Sequence, residues 1–176
     1  RALLIVCLMV LFYVYLRLFR KQYYNSKRIV TLLLLMIVAF CGGTSLIITY
    51  SSPALIYIIP FAILPIIVST FFDTRTALYA NYITIFISSI VVPSPFEFVL
   101  LQATAGMVTI STLRDLSQRS QLVRTAIVII CSYCLFFLGY GLTSDSSIFE
   151  INWINFVFFV INGLLLLFAY PFIYII

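Results

Sequence analysis

The sequence predicts an all-α protein, a polytopic membrane bundle of seven transmembrane helices. Three observations carry that prediction. The 176-residue chain is 64% hydrophobic and 9% charged, with a mean hydropathy of +1.22. Soluble domains run nearer about 45–50% apolar and about 25% charged. The apolar residues fall into stretches close to the roughly 20 residues that cross a bilayer core. The basic residues gather in alternate breaks between those stretches. Seven spans would use about 140 residues on that measure. That leaves short connections and no room for a separate soluble domain, so residues 1–176 are expected to form one unit. With no initiator Met and an apolar run ending at Ile176, we expect a fragment of a longer protein.

The spans follow in order. The first covers 2–19, an apolar run too long for a signal peptide. The most basic stretch, RKQYYNSKR, occupies 20–28. The second span, 29–50, holds Cys41-Gly42-Gly43-Thr44-Ser45, small residues that let helices approach. Ser51-Ser52-Pro53 turns the chain into the third span, 54–72. Asp73-Thr74-Arg75 is a tight polar turn, and the fourth span covers 76–92. Pro93-Ser94-Pro95 breaks the chain before the fifth span, 96–113. A polar segment over 114–124 leads to the sixth span, 125–142. An acidic loop, 143–152, precedes the seventh, 153–176.

Charge sets the orientation. Arg17, Arg20, Lys21, Lys27 and Arg28 flank the first connection, Arg75 lies in the third, and Arg114, Arg119 and Arg124 lie in the fifth. Seven spans put these three connections on one side. The other side carries Arg1, Glu97, Asp145 and Glu150. An excess of Lys and Arg marks the cytosolic face. The N-terminus is therefore expected outside and the C-terminus in the cytosol.

Several residues are candidates for function. Pro60 and Pro65 each lack an N–H, so the carbonyls of Ile56 and Phe61 are expected to lose their helical partners. The third span then reads as a kinked helix, either a hinge or a fixed bend met by its neighbours. Asp73 or Thr74 can cap the fourth helix, and Arg75 can reach a lipid phosphate or a cytosolic partner. Gln102, Ala105, Thr109 and Thr112, with Gly106 beside them, make a polar face on the fifth span. Such a face serves helix packing or lines a pocket. Arg114, Arg119 and Arg124 suit anionic headgroups or a docked cytosolic domain. Cys131-Ser-Tyr-Cys134 matches CxxC but lies mid-span with no second ligand pair, which argues for plain packing.

Other chemistry is missing from the sequence. The chain has no histidine, no charged residue deep in a span, and no nucleotide-binding, metalloprotease or paired-carboxylate motif. No catalytic residue and no metal or cofactor site is expected in this segment, and no nucleic-acid partner.

Pro60, Asp73, Arg75 and Ala77, in the frame IP…FFDTRTAL, with Gly106 and the basic connection at 114–119, resemble the seven-transmembrane HD-domain phosphohydrolases of bacteria. The resemblance is strongest over 57–124 and suits the predicted seven-span layout. It implies an extracellular domain ahead of residue 1 and a cytosolic HD domain after residue 176. That domain would hydrolyse a cyclic dinucleotide, cyclic di-AMP first, using a divalent metal pair. It also implies the bacterial cytoplasmic membrane. The chain itself would be the sensor and signal-transducing region, in contact with the lipid bilayer and its own flanking domains. A small-molecule or peptide signal and a second copy of the chain are the open partner classes. The competing readings are a small-solute transporter or vitamin-binding membrane subunit, and a passive scaffold.

Overall fold

The computed structural model describes residues 1–112, 119–143 and 153–168, the side chains of 119–122 excepted. Arg114, the side chain of Arg119, the acidic residues Asp145 and Glu150 and the last part of the seventh expected span lie outside the described residues. Among the described residues the regular structure is helical throughout. The elements are α1 (Ala2–Phe19), α2 (Lys21–Tyr24), α3 (Lys27–Tyr50), a 3-10 segment (Pro53–Ile58), α4 (Ile63–Phe71), α5 (Thr74–Ser89), α6 (Pro95–Thr112), α7 (Arg119–Thr143) and α8 (Ile154–Leu167). The polar segment before the sixth span thus joins α7 from Arg119 onward. The basic stretch at 20–28 contains the single-turn α2, a short element that hydropathy does not show.

The largest departure from expectation is in the third span. It is broken rather than kinked. Ile59 takes an extended conformation, φ −65° and ψ 116°, as the residue before a proline prefers. The 3-10 segment stops there, and the chain passes through Pro60 before α4 begins. Pro65 bends nothing. It is the third residue of α4, in the first turn, where a missing N–H leaves no helical bond unmade. The two carbonyls expected to be orphaned are both paired locally. Ile59 N–H donates to Ile56 C=O at 3.2 Å, and Leu64 N–H donates to Phe61 C=O at 3.0 Å.

Four helical segments are long and apolar enough to cross a membrane: Ala2–Phe19, Lys27–Tyr50, Pro53–Phe71 and Val123–Thr143. Ile154–Leu167 is a shorter apolar helix. Helices α5 and α6 are less apolar for a reason that the packing supplies. Helix α5 lies against α1, α3, α4 and α6, so protein rather than lipid surrounds it. It can therefore bury Thr76, Asn81, Thr84 and Ser88. The outer helices show the opposite pattern. Leu3, Leu35 and Leu135 are exposed on their outward faces, as a lipid solvent permits.

The interior has two apolar clusters. One joins the 3-10 segment to α6, α7 and α8 through Ile56, Tyr57, Phe98, Ile129, Tyr133 and Phe159. The other joins α1, α3, α4 and α5 through Phe12, Leu33, Leu64, Val68, Ala77 and Ile83. The chain on both sides of Pro60 belongs to the first cluster, through Tyr57, Phe61 and Ala62, and α4 beyond it contributes to both, through Ile66 to the first and Leu64 and Val68 to the second. Phe40 of α3 packs against both.

Candidate functional site

The broken span is held at three levels, and these contacts form the candidate site. The middle level repairs the break. Asn162 of α8 is fully buried, and its Nδ2 donates to the carbonyls of Tyr57 at 2.8 Å and Ile59 at 2.9 Å. A buried carbonyl without a donor costs about 1–3 kcal/mol, and lipid offers no water in exchange. The amide therefore satisfies the Tyr57 carbonyl, which the break would leave open, and adds a second donor to the Ile59 carbonyl, which also accepts from Phe61 N–H at 2.9 Å. Gly163 lets α8 come close enough. A Cβ there would lie 2.4 Å from Ile130 Cγ1 and 3.4 Å from the main-chain oxygen of Ala126 on α7.

Aromatic rings surround this repair. Phe159 stacks on Tyr133, with centroids 5.2 Å apart, and meets Tyr57 edge-on at 5.6 Å. The Tyr133 hydroxyl donates to Gln102 Oε1 at 2.6 Å. The α6 face predicted from sequence thus splits three ways. Gln102 reaches Tyr133 on α7, and Gly106 lies against Asn81 on α5. Thr109 donates to its own helix at the Ala105 carbonyl, 2.6 Å away.

At one end, the Tyr57 hydroxyl donates to Glu97 Oε1 at 2.5 Å. Glu97 sits in the first turn of α6, where the helix dipole favours a carboxylate. Tyr57 therefore uses its main-chain oxygen, ring and hydroxyl on α8, Phe159 and α6 respectively.

At the basic end, Asp73 caps α5. Its Oδ2 accepts from Thr76 N–H at 3.3 Å and its Oδ1 from the Thr76 hydroxyl at 2.6 Å. The same Oδ2 accepts from Arg20 Nη2 at 2.5 Å. This ion pair ties the end of α1 to the turn between α4 and α5. Tyr15 completes it, with its hydroxyl 3.3 Å from Thr76 Oγ1 and its ring stacked on Tyr79 at 3.9 Å. Burial by itself would raise the Asp73 pKa. The Thr76 hydroxyl and amide and the Arg20 charge outweigh it, and the carboxyl titrates below the usual range.

The sign of the pH dependence follows. A depressed folded-state pKa means that this contribution is fully present above the unfolded value and disappears as pH falls through the folded one. Asp73→Asn, which keeps a capping oxygen but no charge, is expected to flatten the acid limb of thermal stability between about pH 5 and pH 2. Asp73→Ala should also lose the cap, about 1 kcal/mol at neutral pH. An unchanged acid limb in Asp73→Asn would remove the ion pair from the account.

The other sequence candidates are placed as follows. Arg75 is exposed and lines a groove with Tyr15, Phe19, Arg20, Leu78 and Tyr79. Arg124 is exposed on α7, away from the break. Cys131 is exposed and Cys134 half-buried, both as free thiols. Among the described residues no three His, Cys, Asp or Glu side chains come together. Sequence reasoning missed Arg20, Tyr57, Glu97, Tyr133 and Asn162 as site residues. An amide in an apolar helix was the available signal, since a polar group in lipid is costly without a partner.

Neither a curated protein nor a solved structure matches the chain. A family model described as "7TM receptor with intracellular HD hydrolase" matches residues 1–176, the whole length. That match agrees with a lipid-facing helical bundle and does not favour the transporter reading. The chain belongs to the family of 7TM receptors with an intracellular HD hydrolase.

Proposed function

We propose that this chain is the membrane-spanning sensor and transducer of an HD hydrolase, and that the broken span is its moving part. The observation that carries the proposal is the Asn162 repair of the break, joined to the Tyr57–Glu97 and Arg20–Asp73 contacts at its two ends. A two-state element needs contacts that a signal can exchange at small cost. A span interrupted at Pro60 can shift one half without the other, because no continuous helix links them.

In this reading there are seven spans, with α5, α6 and α8 as the three beyond the four long apolar segments. The N-terminus is outside, the C-terminus is in the cytosol, and the membrane is the bacterial inner membrane. An extracellular domain would precede residue 1 and the HD domain would follow residue 176. The HD domain would hold the divalent metal pair and hydrolyse a cyclic dinucleotide, with cyclic di-AMP as the proposed substrate. The Lys/Arg bias towards the connections containing Lys21, Arg75 and Arg124 supports this orientation.

The test uses the full-length receptor in proteoliposomes, with cyclic di-AMP hydrolysis as the readout. Tyr57→Phe removes one hydrogen bond to a carboxylate, worth about 1.5–3 kcal/mol. If that bond differs between the two states, the active population should shift by about tenfold. A change in basal rate or signal response is the expected result; unchanged values for both remove the broken span from transmission. Hydrolysis of a different dinucleotide would overturn the substrate alone. Thiol labelling at Lys21→Cys and Arg124→Cys, in a background lacking native cysteines, is expected to occur from the cytosol. Labelling from opposite faces would overturn the layout.

A further inference from the structure

We infer that the α1–α5 groove at the basic end is a binding site for the phosphate of an anionic phospholipid headgroup. The groove is about 270 Å³ and is lined by Tyr15, Phe19, Arg20, Arg75, Leu78 and Tyr79. A second cavity of about 350 Å³, lined in part by Lys21 and Gln22, shares Phe19 and Arg20 with it. Three basic side chains thus border two neighbouring recesses that share Phe19 and Arg20. Asp73 is the one carboxylate paired there among the described residues, and it engages Arg20 through a single terminal nitrogen, Nη2. Arg75 is in no ion pair among the described residues, and it is exposed. The groove therefore keeps a net positive charge.

Its position selects a lipid over a soluble anion. Phe19 ends the first apolar span, and Arg20 follows directly. The groove begins where the lipid-facing surface of α1 stops, at headgroup depth. Its floor is the stacked pair Tyr15 and Tyr79, with Leu78 beside it, and Leu18 borders the adjoining cavity. Aromatic and aliphatic walls below guanidinium groups match the upper acyl chain and phosphate of a lipid, in that order. A guanidinium pairs with phosphate through parallel N–H donors. Because Arg20 is also the Asp73 partner, a lipid bound here would touch the contact that ties α1 to the α4–α5 turn.

The test uses the 176-residue chain in nanodiscs of phosphatidylglycerol or phosphatidylcholine, reading lipid retention by native mass spectrometry and thermal unfolding. Arg75→Gln spares the Arg20–Asp73 pair and is expected to weaken phosphatidylglycerol retention by about fivefold, the effect of one basic residue near an anionic surface. Leu78→Trp, which fills the groove without altering charge, should give a similar loss. Arg1→Gln, the same charge change at the far end of α1, should leave retention unchanged. Inorganic phosphate in excess should neither displace the lipid nor reproduce its thermal shift. Undiminished retention in Arg75→Gln or in Leu78→Trp would overturn the site. An equal loss in Arg1→Gln would reduce it to diffuse charge attraction. A full thermal shift from phosphate alone would assign the groove to a soluble anion.

Discussion

Asn162→Leu is expected to destabilise the chain by about 1–3 kcal/mol, read from unfolding in a detergent titration. Leucine copies the branched outline of asparagine but is bulkier, so Asn162→Ala, which also lacks the donor, is the control for overpacking at this buried position. What changes is chiefly the fate of the Tyr57 carbonyl, which then has no donor in a buried, lipid-enclosed interior, while the Ile59 carbonyl keeps the Phe61 N–H at 2.9 Å. Hydrogen bonds between membrane helices average only about 0.6 kcal/mol, because the unfolded chain in the bilayer finds other partners. The bond to the Tyr57 carbonyl stands above that average, since Pro60 has no N–H to supply a local substitute. Amide hydrogen exchange over 53–63 should rise in the same variant. Asn162→Asp is the sharper control, retaining size but losing the donor, and should be at least as damaging. If Asn162→Leu matches the unsubstituted chain in both measurements, the break is held by apolar packing and the proposed repair has no energetic role.

The second large effect is expected at Gly106. A Cβ on this residue would lie 2.1 Å from Asn81 Nδ2 and 3.2 Å from Asn81 Cγ. The first is too close for any real contact and the second is tight, so α5 and α6 must separate or Asn81 must rotate. Asn81 is fully buried on the central helix. Overpacking of this kind costs about 1–3 kcal/mol. Gly106→Ala should therefore lower the unfolding midpoint clearly, although alanine is the better helix former by about 1 kcal/mol. Asn81→Ala should remove the obstacle. The double variant is then expected to be more stable than Gly106→Ala alone, and the thermodynamic cycle should show coupling on the order of 1–2 kcal/mol. Additive effects would mean that the two residues do not meet.

Comparable local logic made part of the candidate site readable beforehand. Asp73 was recognisable as a cap because it stands between two apolar runs and a capping side chain acts three residues away. The polar face of α6 was visible from the helical spacing of Gln102, Gly106 and Thr109. The partners of these residues were not visible. Asp73 meets Arg20 across 53 positions, and Gln102 meets Tyr133 across 31. Pro60 was recognisable as an interruption, but sequence alone did not distinguish a kink from a break. That outcome depends on whether something nearby accepts the exposed main chain. Asn162 does so from 105 and 103 residues away.

What the sequence by itself determined was where the chain meets lipid and where it leaves it. Apolar runs, their lengths and the basic residues between them act through the solvent, and solvent preference is a property of each segment alone. The tertiary structure decided which segments touch. In lipid, one apolar helix face attracts another little more than it attracts an acyl chain. Neighbours are chosen instead by close fits such as Gly163 on α7, and by a few polar bonds such as Asn162 to the broken span. Those choices depend on three-dimensional position, which no single stretch of sequence carries.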